Sequence, residues 1–569
     1  MNSASATAAT QALADLAQRY WQFECDETPL APALAGAPMD HDLLFRESPA
    51  DHARRDARAA ALLVDLDAVD AGALQEGQAR ATYRLLQREL SGIRAQFAVQ
   101  AHLRPSLFPV AMDFATVFWA NSTALADAAS AGRYVRRLAA IPDALAGFRA
   151  SLAAGHALGI RYPRVVLESA LSNTRGIMAT AAENSPWYAP FKRSAAADSP
   201  ALRACGEQAL DLITNALLPA LREHLAFTAG PMSVGARESL SCTQGPDGPA
   251  LYAVLVRHFT TGEASPDEIH ALGLSEVARL NAEIEAVAAL AGYAKDLPGY
   301  RHFLAHDPQF VAPSADVLRQ QIESLCKRID KRIPAFFGHL PRITYGVESV
   351  PAAMSAKLPP AYAQPSPPDG SAPGILWVSG MPAKCPSYLH PALAMHEAWP
   401  GHLMHIALLQ EAQDLPAFRR NGAVKYTACV EGWALYCETL GIEMGIYTTP
   451  HEHYGRLEME LWRAARLVVD TGIHAQGWTR EQAVDYMTQH LTLSPETIAG
   501  EVDRYAALPA QALGYQIGNL CLRGLRRKAE AQLGARFSQR SFHTAVMTAG
   551  AVTLPVLEDL VGDWLAAQA

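Results

Sequence analysis

Apolar residues recur every three or four positions along most of the chain, which is the spacing of amphipathic helices. The pattern dominates the alanine-rich stretch from residue 8 to about 155 and is clearest over Ala57–Val69 and Ala79–Val99. It returns at Pro200–Leu225 and over Ser265–Gly292. The N-terminal part is therefore expected to be a helical lobe.

The helix predicted from Ser265 has the clearest start signal. Ser265 is an N-cap residue, Pro266 follows at the first helical position, and Asp267 and Glu268 place acids in the first turn. From His390 to the end of the chain the pattern is helical again.

The segment from Ile343 to Pro386 interrupts this helical pattern. It is dense in prolines, which forbid a helix and favour an extended excursion: Pro351, Pro359, Pro360, Pro365, Pro367, Pro368, Pro373, Pro382 and Pro386. Within it, the apolar run Gly374–Gly380 predicts a strand. We expect an edge strand beside a substrate cleft, to which an extended peptide can add, or alternatively a buried hairpin strand.

The length of the chain predicts more than one hydrophobic unit, because a single core stops growing at about 250–300 residues. We expect a mainly α fold with two helical lobes around a deep cleft and a small β element. The proposed division is an N-terminal helical lobe at 1–225 and a catalytic helical lobe at 226–569, which carries the excursion at 343–386 and a metal site at 390–440.

Composition and charge narrow the class of partner. Half of the 569 residues are hydrophobic and 18% are charged, as in globular proteins with a large core. A net charge of −9 and a pI near 6.1 provide no basic face, so we expect neither nucleic acid nor a membrane surface as a partner. The oligomeric state cannot be predicted.

Cysteine usage and the N-terminal segment favour a cytoplasmic location. The eight cysteines are scattered without a Cys-x-x-Cys pair and are typical of buried thiols in a reducing compartment. The segment from Met1 to Phe23 lacks the features of a signal peptide and predicts an amphipathic helix. The sequence contains no run of about 18 apolar residues, so it predicts no membrane-spanning helix.

A histidine and a glutamate stand side by side in an apolar helical run, at His396 and Glu397. In the usual zinc motif His-Glu-x-x-His, the second histidine lies four residues later on the same helical face. Here that position is Pro400, and His402 lies six residues on, where a regular helix turns it by about 120°. A kink or bulge at Pro400-Gly401 would bring His402 to the metal.

Two further features complete the candidate zinc site. His405 is the alternative second ligand, three residues beyond His402. Glu431 and Glu438 lie two turns apart on one face of an otherwise apolar helix, where unpaired carboxylates are costly. We expect Glu431 to be the third ligand and Glu438 to fix a histidine ring, the alternative being structural salt bridges.

Glu397 is the candidate general base, because it adjoins a ligand but points to another side of the helix. Downstream, four polar residues form one helical stripe: Arg463, Arg466, Asp470 and His474. His474 is a candidate donor to the oxyanion with Asp470 orienting its ring, and a structural ion network is the alternative. Arg466, Arg504 and Tyr505 are candidates for substrate binding, since arginine grips a carboxylate bidentately.

Five segments together resemble the bacterial domain-of-unknown-function 885 family: His396–His402, Glu431–Tyr436, Arg466–His474, Gly477–Thr479 and Gln511–Tyr515. The resemblance extends over nearly the whole chain. The family is similar to helical gluzincin peptidases such as thimet oligopeptidase, in which two histidines and a glutamate bind zinc. This resemblance implies a deep channel between helical halves and the hydrolysis of short peptides.

The same resemblance bears on two individual positions. Tyr515 matches the position at which related peptidases place a tyrosine that stabilises the transition state. Members of the family usually carry two adjacent histidines after Pro-Gly, whereas this chain has His402 followed by Leu403. The retained His402 is interpreted as the ligand.

The residues and the resemblance favour a Zn²⁺-dependent hydrolase, with short peptides or peptide-like molecules as substrates. Two other hypotheses remain open: a zinc hydrolase or lyase of a non-peptide amide or ester, and a metal-free binding protein on a decayed peptidase scaffold. Serine-hydrolase and nucleotide-binding motifs are absent from the sequence.

Overall fold

The computed structural model of the protein describes residues 3–29, 42, 44, 46–109, 111–197, 199–351, 355, 358–367, 370–423 and 425–568. Its elements are predominantly helical, as the apolar periodicity predicted. The first helices span Ser3–Glu27 (α1), Pro49–Asp67 (α2), Gly77–Ala98 (α3), Met112–Ser122 (α4), Ala128–Ala157 (α5), Arg164–Met178 (α6), Ala189–Arg193 (α7), Pro200–Leu212 (α8) and Leu218–Ala229 (α9). A π-helical turn, Ile213–Leu217, joins α8 to α9.

The central part contains helices and the strands. The helices span Gly248–Thr260 (α10), Pro266–Leu290 (α11), Leu297–His306 (α12), Ala315–Asp330 (α13) and Ile333–Phe336 (α14), and the strands span Tyr345–Ser349 (β1), Ala361–Gln364 (β2) and Gly374–Val378 (β3). As predicted, the side chain of Ser265 caps α11 by accepting from the backbone N–H of Glu268.

The remaining helices carry the candidate chemistry. They span His390–Glu397 (α15), His402–Glu411 (α16), Ala417–Arg420 (α17), Thr427–Glu443 (α18), Pro450–His474 (α19), Arg480–His490 (α20), Pro495–Ala507 (α21), Gly514–Leu533 (α22), Gln539–Ala549 (α23) and Leu554–Gln568 (α24). Helix α19 is buried without interruption from Tyr454 to His474 and packs against α11, α15 and α22. A helix buried on all sides belongs to the middle of a core.

The strand predicted at Gly374–Gly380 forms, but it is not an edge strand. The three strands pair in the order β1-β3-β2, with β1 parallel and β2 antiparallel to β3. Both sides of β3 are therefore hydrogen-bonded, and no free edge remains for peptide addition there. The sequence could not reveal this, because β1 and β2 lie in the proline-rich excursion. Residues 352–354, 356–357 and 368–369 of this excursion lie outside the described residues.

The N-terminal helices share one hydrophobic core with the C-terminal ones. A single cluster of buried side chains extends from Ala9 to Leu565. Lys425 pairs with Glu24 of α1 and lies 5.2 Å from the ring centroid of Tyr20. The buried Arg419 donates to Thr82 of α3 and to the carbonyl oxygen of Ala549. The proposed division at residue 225 stays a prediction, but it does not separate two independent cores.

Helices α18 and α22 approach so closely that only glycine fits at their crossing. A Cβ on Gly432 would lie 2.4 Å from the carbonyl carbon of Gly518, and a Cβ on Gly518 would lie 1.8 Å from the carbonyl oxygen of Ala428. This contact fixes Glu431, which precedes Gly432, relative to Tyr515, one turn before Gly518.

In the described part of the chain, no helix combines the length and apolar character needed to span a membrane.

Replacing Gly518 with alanine should lower the free energy of unfolding by about 1–3 kcal/mol, because the added methyl group pushes α18 and α22 apart. Urea denaturation measures this change. The matched control is Gly524→Ala in the same helix, where a Cβ meets nothing within 4 Å. That variant should be about 0.5–1 kcal/mol more stable than the wild type. Equal effects of both substitutions would contradict a close crossing.

Candidate metal centre

The chain breaks its helix between His396 and His402 instead of continuing it. Helix α15 ends at Glu397 and α16 begins at His402. Gly401 packs directly on the end of α15, where a Cβ would lie 1.9 Å from the carbonyl oxygen of His396. The indole N–H of Trp433 donates to the carbonyl oxygen of Pro400 at 2.9 Å, which ties the break to α18. Glycine is required here because the two backbones touch.

This break brings together three residues predicted as ligands. The Nε2 atoms of His396 and His402 both lie 3.4 Å from one carboxylate oxygen of Glu431. Potential ligand atoms of the three residues lie within 4.8 Å of one another. The imidazole rings are nearly perpendicular, with centroids 4.8 Å apart.

A fourth residue, Glu438, orients the first histidine. Its carboxylate lies 2.7 Å from Nδ1 of His396, as expected from the two-turn spacing to Glu431. With Nδ1 engaged, Nε2 of His396 faces Glu431. Such a carboxylate-histidine pair is the usual support of a metal-binding imidazole.

Charges among the three candidate ligands shift the pKa values of His396 and Glu431. Burial alone would lower the pKa of His396, but hydrogen bonds with Glu431 and Glu438 raise it to about 9. Burial alone would raise the pKa of Glu431, but His402 and His396 hold it well below its usual range. The carboxylate of Glu431 is therefore ionised and lies between two imidazoles, where it could bind a metal ion.

His405, the alternative second ligand, is not among the three residues that come together. Burial lowers its pKa to about 3, and its ring packs against Trp433. Leu403 lies against Gly374 at the start of β3, so the position at which family members usually carry a histidine faces the sheet.

Glu397 borders the cluster and is half-buried. Burial raises the pKa of its carboxyl group, while His396 and His402 act against that increase. Arg463 also acts on the carboxyl group of Glu397 from α19. Glu397 ends α15, which packs against α19, the helix that carries Arg463.

Tyr515 lies at the start of α22. The guanidinium carbon of Arg466 is 4.4 Å from the centroid of its ring. Burial and the neighbouring charge of Glu431 raise the pKa of the hydroxyl, so Tyr515 is a protonated donor near the cluster.

The structure assigns a different role to Arg504 and Tyr505. Both bind Glu501, since the Arg504 Nε lies 3.1 Å and the Tyr505 hydroxyl 2.7 Å from its carboxylate. Arg504 also donates to Gln511 at 2.7 Å, and Arg466 donates to Glu501 at 3.0 Å. The expectation that Arg504 and Tyr505 bind a substrate stays a prediction, and any substrate carboxylate would compete with Glu501 for them.

Sequence reasoning missed Glu501, although its position three residues before Arg504 is the spacing of a helical ion pair.

His474 is also a structural residue. Its Nδ1 accepts from the backbone N–H of Cys242 at 3.1 Å, and its Nε2 donates to the carbonyl oxygen of Tyr505 at 3.0 Å. Asp470 binds the hydroxyl of Tyr252 and the backbone N–H of Ala510 instead of orienting His474. The predicted oxyanion donor is therefore wrong, because both ring nitrogens are used by backbone groups.

Comparison with known proteins gives a family and a fold. The model of a family described as "Bacterial protein of unknown function (DUF885)" matches residues 29–561. A "putative lipoprotein" from Colwellia psychrerythraea has a similar structure at 26% identity and a TM-score of 0.90, with 98% of this chain and 99% of that chain covered. A "putative lipoprotein of unknown function" from Shewanella oneidensis is 19% identical at a TM-score of 0.70, with 97% and 98% covered.

Two other comparisons add no functional argument. A carboxypeptidase from Pyrococcus furiosus is 13% identical over 91% of this chain and 97% of its own, at a TM-score of 0.26, which is too low to bear on fold or function. No curated protein matches the chain.

The descriptions of the two similar structures correct the expected cytoplasmic location. A lipoprotein is held at a membrane by its lipid, and the two similar proteins named above are each described as a "putative lipoprotein". Scattered thiols and an unremarkable N-terminal composition were insufficient grounds for a cytoplasmic location.

The free energy of unfolding should fall on acidification because His474 is held neutral. Burial lowers the pKa of His474 from 6.5 to about 4, so its stabilising contribution is present above pH 6.5 and is lost as the pH falls towards 4. Relative to His474→Gln, the wild type should lose about 2 kcal/mol between pH 7 and pH 5. Urea denaturation of both proteins at the two pH values measures the difference. An unchanged difference would mean that His474 titrates normally.

Proposed function

The chain belongs to the DUF885 family, as its motifs predicted, and within this family of unknown function we propose that it is a zinc-dependent hydrolase of short peptides. The observation that carries the proposal is the convergence of two imidazole Nε2 atoms on one carboxylate oxygen, each at 3.4 Å. Two histidines and one carboxylate leave a coordination position for water, which is the arrangement of catalytic zinc sites.

The surroundings of the three donors support a metal. Glu438 holds His396 through Nδ1. Two buried histidines and a half-buried glutamate would be an unusual set to hold together by hydrogen bonds alone, since charges removed from water are costly. A cation between them satisfies the donor set. His396, His402 and Glu431 would hold it.

Zinc, when bound, would lower the pKa of a water molecule and polarise the carbonyl group of the substrate. Glu397 would accept a proton from the attacking water, whose oxygen joins the carbonyl carbon. As the carbon–nitrogen bond breaks, Glu397 would return the proton to the leaving amine. The position of Glu397, next to a ligand but outside the three-residue cluster, supports this role.

Tyr515 is the best-placed donor to the oxyanion. Its hydroxyl is protonated, its ring is held by Arg466 at 4.4 Å, and its helix is locked to that of Glu431 by the glycine contact. A fixed donor stabilises the developing negative charge without reorganisation during the reaction.

Wild-type protein purified without added metal or chelator should contain about one zinc ion per chain, which elemental analysis measures. His402→Ala and Glu431→Ala should lose the zinc, because each removes one of three protein ligands. The matched control is His405→Gln, which replaces a buried neighbouring histidine outside the cluster and should retain it. A folded wild-type protein that takes up no zinc would overturn the proposal.

Glu397→Gln should retain zinc but hydrolyse short peptides about 100- to 10 000-fold more slowly, because the amide cannot accept the proton of water. The rates follow from detecting new amino groups in a peptide panel, with esters and acylated amides as comparison substrates. Wild-type activity in Glu397→Gln would exclude Glu397 as the base. Cleavage of esters alone would exclude peptides as the substrates.

A further inference from the structure

We propose that Arg463 binds the α-carboxylate of the substrate, so that the enzyme releases single amino acids from the C-terminal end of short peptides. The inference rests on the proposed peptide hydrolysis and adds which bond is cleaved. It follows from the contacts of Arg463 on the buried helix α19.

Arg463 is a buried cation without a directly paired carboxylate in the described part of the chain, and its charge acts on the carboxyl group of Glu397. Only 6% of the residue is exposed, and it forms no ion pair with a carboxylate of the described residues. Its Nη1 donates to the carbonyl oxygen of Met459 at 3.2 Å, while its Nε is buried without a partner. Burying a charge in this way is costly unless an anion binds there.

Three other buried arginines form an ion pair or several hydrogen bonds, although Nε of Arg419 and Nε of Arg456 also have no partner among the described residues. Arg466 pairs with Glu501, and Arg456 pairs with Glu460 on the same helix as Arg463. Arg419 lacks a carboxylate but donates to three oxygen atoms, those of Gln78, Thr82 and Ala549. Arg463 has neither arrangement, which distinguishes it from a structural arginine.

Neighbouring N–H groups on the same turn are also unpaired. The indole Nε1 of Trp462 and the Nη1 of Arg466 are buried without partners among the described residues. The guanidinium carbons of Arg463 and Arg466 lie 5.1 and 4.8 Å from the centroid of the Trp462 rings, so these groups share one location. Several donors without an acceptor fit a carboxylate, whose two oxygens accept hydrogen bonds and neutralise the charge.

This location adjoins the reacting groups. Arg466 stacks on Tyr515, the proposed oxyanion donor, and the charge of Arg463 acts on Glu397, the proposed base. In the last residue of a peptide, the α-carboxylate is two bonds from the nitrogen of the preceding peptide bond. A carboxylate held by Arg463 would therefore belong to the residue that is released. Water adds to the carbonyl carbon, and the products are a shortened peptide and a free amino acid.

The test compares peptides of identical sequence that end in a free carboxylate or in an amide. The wild type should cleave the free acid with a kcat/KM about 10- to 100-fold higher than the amide, the usual effect of a hydrogen bond to a charged group. In Arg463→Met, which preserves side-chain length, the two peptides should be cleaved at similar rates. Mass spectrometry should identify a single C-terminal amino acid as the first product.

The matched control is Arg504→Met, which removes another buried arginine of the same region. Its guanidinium is occupied by Glu501 and Gln511, so this variant should keep the preference for the free acid even if its overall rate falls. Zinc content and urea denaturation identify any variant that fails to fold.

Three results would overturn the inference. If the wild type cleaves amides as well as acids, or cleaves internal bonds, the assignment of Arg463 fails while the proposed hydrolase stands. If Arg463→Met keeps the full preference and Arg504→Met loses it, the carboxylate binds at Arg504. If zinc-loaded wild type cleaves no peptide, both the inference and the proposed function fail.

Discussion

The candidate metal centre depends on one backbone contact, the packing of Gly401 on the carbonyl end of α15. A Cβ at residue 401 would lie 1.9 Å from the carbonyl oxygen of His396. The chain can follow this path between α15 and α16 only because glycine has no side chain. This path allows histidines six residues apart to face the same carboxylate oxygen at equal distances. Trp433, on the helix that carries Glu431, holds the break through the carbonyl oxygen of Pro400. The candidate ligands and their support are thus fixed by the same few backbone groups.

Much of the fold could be predicted from the sequence, because helical periodicity and capping residues are local signals. The start of α11 at Ser265 and the strand beginning at Gly374 are examples. The position of that strand within its sheet was not predictable, because the order of three strands depends on how they pair and not on the pattern within each strand. The same limit explains why β3 was expected at an edge.

The candidate site also contains residues that the sequence identified and residues whose roles it did not reveal. His396, His402, Glu431 and Glu438 were identifiable because charged groups in apolar helices require partners, and spacing indicated which ones. The role of His474 was misjudged because its partners are remote in the sequence, whereas the pairing of Arg504 with Glu501, only three residues away, was overlooked. His474 binds backbone groups of Cys242 and Tyr505, and no pattern within α19 reveals that. Arg463 was visible as part of a polar stripe, but its unpaired Nε became apparent only from its surroundings.

The shared core has a consequence for how such a chain can change over evolutionary time. Helices α1 and α3 contact residues 419 and 425 directly, and Arg419 also binds the end of α23. Recombination that exchanges one half between distant relatives would therefore place mismatched surfaces in the interior. The two halves are expected to be inherited together and to accumulate substitutions in correlated pairs across the residue 225 boundary, as residues of a single unit do.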